Sequence, residues 1–459
     1  MMKFNTHYFI FGLVIVVLIS DCAPEEEKLS KVAERIEKVE VPSTIPSQRL
    51  GNLCSGEEEC ISFCQNNRRT CESYCKENKN DLCRTIFPPD WMPTYKNSLD
   101  KELSGGYCQG SGTVNFGAVP MKPEDILVII PMGDMIGGHV SPIDHLYLYP
   151  IKSRQANIYA PANGTVVYVA TSGRFIGQET FIQTYTIFIE HTCDFYTLLS
   201  LLDEVSPKIK EQIGIMGEDE QRHVRIPVSE GERVGIIVSG QSLDYNVYYT
   251  QAPKKQWVFP EHYTELGKRL IVDPFDYYVE PVKSQLLEKN PRTVPPLGGK
   301  FDHDIDGTLS GTWFEENTNW YEGLLNVKGR FGEYWKTHIS FSPDPVDPSS
   351  FVISLGDFDG EAKQFGAKGN SPKPEDVRSA SGLVVYELVE KGYADSSGNP
   401  WNFFEKGTVK GLRVDRRDEI QGVVLVQLME NRKIKFEAFP EKTASQVNGF
   451  TENAKIYER

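Results

Sequence analysis

The chain has 459 residues, 39% of them hydrophobic and 25% charged, a balance that excludes a disordered protein and leaves room for two or three domains with cores of their own. Lys and Arg number 49 against 64 Asp and Glu, a formal net charge of -15. A surface that acidic repels phosphate backbones, which excludes nucleic acid as the expected partner.

Lys3 precedes an apolar run from Tyr8 to Ile19, followed by Ser20, Asp21 and Cys22. The run falls short of the ~18 apolar residues of a spanning helix and has the flanks of a secretory signal. The stretch Leu18-Ile19-Ser20-Asp21-Cys22 resembles a lipoprotein signal that ends at a lipid-modified cysteine, although Asp21 stands where Gly, Ala or Ser is usual. Lipidation at Cys22 is one expectation for residues 1–22 and an uncleaved signal anchor the other; both place the chain outside the cytoplasm and attached to a membrane. Residues 23–50 are charged and interrupted by Pro42 and Pro46, which reads as a tether.

Nine cysteines are present, and setting Cys22 aside leaves an even number suited to disulfides in an oxidising compartment. In residues 51–88, Cys60 and Cys64, then Cys71 and Cys75, form two pairs four residues apart. Thiols at that spacing share a helix face, so the segment is expected to be a helical hairpin stapled by nested bonds: Cys64 with Cys71, Cys60 with Cys75, Cys54 with Cys83. Zinc held by these thiols is the rival reading. Cys108 and Cys193 remain to pair with each other.

From Asp125 onward the pattern turns to strands. The runs ILVIIPM, HLYLYP, ANIYAP, GTVVYVAT, FIQTYTIFIEH, RVGIIVSG and YNVYYTQ are β-branched or aromatic and separated by Gly, Pro and Asn, as in an antiparallel barrel or sandwich over residues 89–290. After a Pro-rich break from Pro291 to Pro296 and the pair Gly298-Gly299, residues 298–459 form a second strand-rich region: GTWF, HISFS, FVISLGDF, GLVVYELV, GTVKGLRVD, GVVLVQLME and KIKFEAF. The fold class expected is mainly β.

Several landmarks between His145 and Gln251 occur in one order: Ala160-Pro161-Ala162-Asn163-Gly164-Thr165-Val166, then Ile187-Phe188-Ile189-Glu190-His191 with Tyr196-Thr197-Leu198-Leu199, then Glu230-Gly231-Glu232-Arg233-Val234-Gly235 and Gly240-Gln241-Ser242. This stretch resembles the lysostaphin-type zinc endopeptidases, which cut peptide crosslinks of bacterial walls from a β-barrel groove. The resemblance implies a metal His and Asp spaced HxxxD, a catalytic His in YxHL, and an HxH supplying the remaining catalytic and metal groups. Here His145 is followed at the aspartate position by Tyr149, the YxHL position is Leu198, and the HxH position reads Asp244-Tyr245-Asn246. The family relies on zinc to make a nucleophile of bound water near neutral pH. With these five positions degenerate, the resemblance implies a barrel without a catalytic residue and without a cofactor. A rearranged zinc site is the alternative, built from His139, Asp144 and His145 with His191 or Asp244.

Other signals are weaker. Tyr147, Tyr149, Tyr196, Tyr245, Tyr248 and Tyr249 surround the degenerate motifs and suit either ligand contact or half-buried packing. Asp302, Asp304 and Asp306 with Gly307 make the DxDxDG opening of a calcium loop, yet Trp313 stands where the closing glutamate belongs, so a solvated turn competes. Trp313, Phe314, Trp320, Tyr321, Tyr334 and Trp335 would serve a ligand cavity or a large core. Asn163-Gly164-Thr165 is a glycosylation sequon within a tight turn. The expected function is a surface-anchored, non-catalytic protein that binds an envelope glycan or peptide; an active zinc endopeptidase and a purely structural envelope spacer are the alternatives.

Overall fold

The computed structural model describes residue 71 and residues 107–151, 155–176, 180–238, 241–263, 266–323 and 334–459. The expected signal, tether and helical hairpin, with Cys22, Cys54, Cys60, Cys64, Cys75 and Cys83, lie outside the described residues. Cys71 is described; it is buried and disulfide-bonded. The fold is mainly β, and among the described residues no helix is long and apolar enough to cross a membrane.

The first region contains β1 (Ile126–Ile130), β2 (Leu146–Pro150), β3 (Ala156–Tyr159), β4 (Gly164–Ile176), β5 (Thr180–Thr192), β6 (Phe195–Leu202), β7 (Glu204–Val205), β8 (Gln221–Val228), β9 (Arg233–Ile237), β10 (Leu243–Tyr249) and β11 (Ile271–Val272), with helices α1 (Pro207–Ile213) and α2 (Val282–Leu287). An antiparallel sheet runs β1-β2-β10-β6-β5-β4-β8, with β11 added on β10, and a three-stranded sheet runs β3-β9-β7. Because side chains alternate along a strand, β2 and β10 send Leu146, Leu148, Leu243, Tyr245 and Val247 into the main core with Ile158, Leu199 and Val234. The opposite face of the same strands carries Tyr147, Tyr149, Asp244 and Asn246. Register fixes the neighbours: Leu198 lies opposite Asn246, and Asp244 opposite Tyr147.

The second region is a closed barrel. Strands β12 (Gly311–Glu315), β13 (His338–Pro343), β14 (Phe351–Phe358), β15 (Glu361–Ala367), β16 (Leu383–Ala394), β18 (Arg413–Leu428), β19 (Lys433–Pro440) and β20 (Lys455–Glu458) pair in chain order, and β20 returns to β12. The short β17 (Pro400–Trp401) pairs outside on β16 and leads into α3 (Phe403–Lys406). Eight strands enclose an interior just wide enough for side chains, and Trp313, Phe341, Phe351, Ile353, Tyr386, Val424 and Phe436 fill it. The runs GTVKGLRVD and GVVLVQLME, expected as two strands, are joined: the single strand β18 begins at Arg413.

The two regions pack on each other. His338, Ser340 and Ser342 point out of the barrel yet are wholly buried, and an apolar cluster joins Val128, Ile130, Ile143 and Tyr147 of the first sheet to Val346, Phe403 and Leu412 of the barrel side. Thr408 Oγ1 donates to the carbonyls of Leu127 (3.1 Å) and Lys289 (2.8 Å), so the outer edge of β1 is covered rather than left as an open template. The Pro-rich break between the regions is pinned as well: Met132 N donates to Gly298 O at 2.8 Å and Lys300 N to Met132 O at 3.2 Å. At this crossing Gly133 (φ 99°) and Gly299 (φ 88°) are required, since a Cβ on either would stand 2.2 Å from Lys300 O or 2.1 Å from Met132 O.

Cys108 and Cys193 form the expected disulfide, with Cα atoms 5.0 Å apart. Around it Gly112 N donates to Asp194 Oδ2 at 2.9 Å and Thr192 Oγ1 to Gly112 O at 2.5 Å. The segment preceding the first sheet is thereby strapped to the end of β5.

Candidate functional site

Where β2 begins, the face turned toward the barrel gathers a line of polar groups. Ser242 precedes β10 and its hydroxyl bonds Tyr149 and approaches Asp244 Oδ1 at 3.4 Å. Asp244 Oδ2 stands 3.7 Å from His145 Nε2, and His145 Nδ1 meets Asp144 Oδ1 at 3.0 Å. Asp144 Oδ2 in turn pairs with Lys268 Nζ at 3.2 Å, and Lys268 donates to the Tyr321 hydroxyl at 3.1 Å while lying 4.5 Å from that ring's centroid. Asn246 closes the cluster from behind, its Nδ2 donating to Asp144 O at 3.0 Å.

Of these groups Asp144, His145, Lys268 and Tyr321 line a small cleft between the first sheet and the barrel, with His139, Ser141, Pro142, Ile143 and Tyr334 completing its wall. Burial alone would lower the His145 pKa, but the charge of Asp244, the hydrogen bond to Asp144 and the charge of Asp144 outweigh it and raise the imidazole above its usual value. Burial would raise Asp144; Lys268 and the His145 contacts overcome that and hold its carboxyl well below the ordinary range. The cluster is therefore a histidine set between two carboxylates, with Lys268 behind one of them. His139 sits at the rim, its ring centroid 6.4 Å from that of His145. Its walls, then His145 and Lys268, depress it to about 4; the residue is exposed, so solvent screens much of this push.

The structure brings together His145, Asp244, Asn246 and Leu198, which the sequence motifs placed in one site, and it shows why Tyr149 does not act as their fifth member. Tyr149 packs edge-on against Phe404 of α3 at 4.9 Å and beside Tyr147, and burial, then Asp134 and Asp244, push its phenol up to about 12. His191 is not part of the cluster and cannot complete a zinc site there: its Nδ1 bonds Asn163 O at 2.8 Å and its Nε2 bonds Thr197 Oγ1 at 2.8 Å. Among the described residues no group of three or more His, Cys, Asp or Glu is placed to hold a metal ion.

The six tyrosines divide. Tyr245 shares a 2.7 Å hydrogen bond with Tyr278 in the main core, Tyr196 bonds Cys193 O there at 3.3 Å, Tyr248 lies 5.8 Å from Phe188 and Tyr249 packs against Phe195.

At Asp302, Asp304 and Asp306 the three carboxylates diverge. Asp302 accepts from Gln256 N at 2.6 Å, Asp304 from Val258 N at 3.1 Å and Thr312 N at 3.2 Å, and Asp306 takes both arms of Arg432 at 2.9 Å. They are staples rather than a cation shell, and two of them are buried rather than solvated. The aromatic residues of the barrel are core or interface: Arg459 stacks on the buried Trp313 at 3.9 Å, and Trp320 stacks on His262 at 4.2 Å. Lys268 was not anticipated: no motif marks it, and it reaches Asp144 because the turn Leu266–Leu270 leads into β11, which pairs with β10.

Fold and site define a class: a two-part β protein, an open antiparallel sheet capped by a closed eight-stranded barrel, with a charge-clamped histidine at the junction. Beyond that class, no protein-family model matches the chain and no curated protein matches it.

Proposed function

We propose that the protein is an extracytoplasmic surface protein, held to the membrane by lipid on Cys22 or by an uncleaved signal anchor, whose peptidase-like sheet binds a ligand without catalysis. The ligand is a glycan or peptide of the cell envelope, and the cleft between sheet and barrel receives it. One observation carries this reading: the position where the resemblance implies a metal carboxylate is Tyr149, packed under the barrel against Phe404, while Asp244 is engaged with His145. Zinc chemistry needs three protein ligands around an open coordination position, and a phenol locked in a domain interface does not supply one. Binding draws support from the cleft rim, where the exposed His139 ring makes no hydrogen bond within the described residues and offers a donor and an acceptor.

A specific feature favours the zinc alternative: His145 Nδ1 is oriented by Asp144 while Nε2 makes no hydrogen bond, as in metal-bound histidines oriented by a carboxylate. Elemental analysis of the full chain purified without chelator, beside a wall-peptide hydrolysis assay with added zinc, decides between the two. We expect no stoichiometric zinc and no hydrolysis. Calorimetric titration with envelope glycans and crosslink peptides should find one class that binds, with binding weakened in His139→Ala. One zinc per chain with activity lost in His145→Ala would establish the endopeptidase, and a folded protein that binds neither class would leave the structural spacer.

A further inference from the structure

Away from the cleft, beneath the apolar cluster that joins the two regions, Asp344 and Lys391 meet. Asp344 follows β13 and its side chain has no exposed surface; Lys391 reaches it from β16 with 15% of its side chain exposed, Nζ 3.2 Å from Oδ2. The two carboxylate oxygens are treated differently. Oδ1 accepts from the backbone N–H groups of Val346 and Asp347, both at 3.0 Å. Oδ2 faces Lys391, and the Tyr393 hydroxyl lies 3.0 Å from it and 3.1 Å from Oδ1. A third ionisable group, Asp134 from the loop after β1, is buried within electrostatic reach of both partners. Val128, Ile130, Ile143, Val346, Phe403 and Leu412 form the apolar surround.

A charged pair in such a place has lost its hydration and recovers only part of that cost. A neutral amide would not bear it. The arrangement also resembles an acyl-transfer site at rest: an amine beside a carboxyl carbon, two fixed N–H donors on the oxygen that would become the oxyanion, and a hydroxyl beside the oxygen that would leave.

We propose that Lys391 and Asp344 condense into an intramolecular amide bond that crosslinks β16 to the loop after β13. The ammonium first passes one proton to the carboxylate, giving a neutral amine and a carboxylic acid. The Nζ lone pair then attacks Asp344 Cγ, with charge building on Oδ1 under the Val346 and Asp347 N–H groups. The C–N bond forms, the Cγ–Oδ2 bond breaks, and the nitrogen's second proton leaves with Oδ2, so that one water is released and no oxidant or co-reactant is consumed. Asp134 is the neighbouring acid through which that proton can pass. Burial raises its carboxyl pKa, Lys391 opposing and Asp344 adding to the effect, which favours the protonated form this role requires. For Lys391, burial pushes the pKa down, but Asp344 and Asp134 more than compensate and raise it; the neutral amine that attacks is therefore the minor form, and the bond is expected to form during maturation rather than at once.

The test is mass spectrometry on the full chain, first intact under denaturing and reducing conditions and then as a protease digest. The expected result is a mass one water short and a branched peptide joining the segments that contain Asp344 and Lys391. Lys391→Arg keeps the positive charge but cannot form this amide, so it should fold, show the full mass and yield two linear peptides. Asp134→Asn should slow the appearance of the branched peptide in a time course after refolding. Recovery of the two unmodified linear peptides from wild-type protein after prolonged incubation overturns the proposal, as does a water loss that persists in Lys391→Arg.

Discussion

At the scale of single residues, the burial of carboxyl groups makes the protein's stability depend on pH in a readable direction. Asp273 Oδ1 caps the turn at Phe275 N (2.9 Å) and Oδ2 holds Gly298 N (2.8 Å), yet burial outweighs both and lifts its pKa to about 6 from the usual 3.8. A raised folded-state value means that its stabilising contribution is complete below the unfolded value and is lost as pH rises through about 6. Asp273→Asn keeps one acceptor and does not titrate. Wild-type stability should therefore gain ~1–1.5 kcal/mol over the variant between neutral pH and about pH 5, read from urea denaturation at each pH. Equal pH profiles for the two proteins would reject this account.

Tyr149 invites a second residue-scale prediction. Tyr149→Asp restores the carboxylate that the resemblance implies, but Leu198 and Asn246 still offer no imidazole, and groups that act as one unit are not recovered singly. We expect no stoichiometric zinc and a loss of roughly 2–4 kcal/mol, because a carboxylate would replace an aromatic ring packed against Phe404. Elemental analysis and thermal denaturation on one preparation check both halves. The cluster was partly legible in the sequence. His145, Asp244 and Asn246 were singled out by motif spacing and do converge, since strand register aligns them. Lys268 was invisible, because a lone lysine in the turn before β11 signals nothing until tertiary packing places it.

Among the elements, the strands with strong alternating or β-branched patterns were the readable ones: β1, β2, β4, β5 and β10 lie where the runs place them. The strand β15 was missed because Glu361-Ala362-Lys363-Gln364 is polar and only Phe365-Gly366-Ala367 is buried. β20 was missed because four residues carry too little pattern. The DxDxDG run was ambiguous for a related reason: short carboxylates at alternate positions satisfy backbone N–H groups as readily as they wrap a cation, and spacing alone does not tell which. The Cys108–Cys193 bond belongs to this scale as well, since it fastens the leading segment to the end of β5. Replacing both cysteines by alanine should cost ~2–4 kcal/mol, seen as a lower urea midpoint, with digestion at residues 107–117 preceding that of the sheet. If the double variant unfolds at the wild-type midpoint, the strap does not hold the fold together.

For the whole molecule, the junction between sheet and barrel ties stability and site together. Phe403 is 6% exposed in the joining cluster, and Phe403→Ala should cost about 3–5 kcal/mol. If the junction shapes the cleft, ligand affinity should fall with it, as measured by the same calorimetric titration. Unchanged affinity would place the ligand elsewhere. The barrel itself closes only when β20 takes its place between β12 and β19, and the rungs that finish it, Phe314 with Glu458 and Glu315 with Tyr457, join residues at the two extremes of the second region. Nothing between them can complete the ring early. Seen as a folding problem, this makes barrel closure a late event of high contact order: a chain still being made would hold seven unclosed strands until Lys455 to Glu458 had followed, leaving a sticky intermediate for a chaperone to shield.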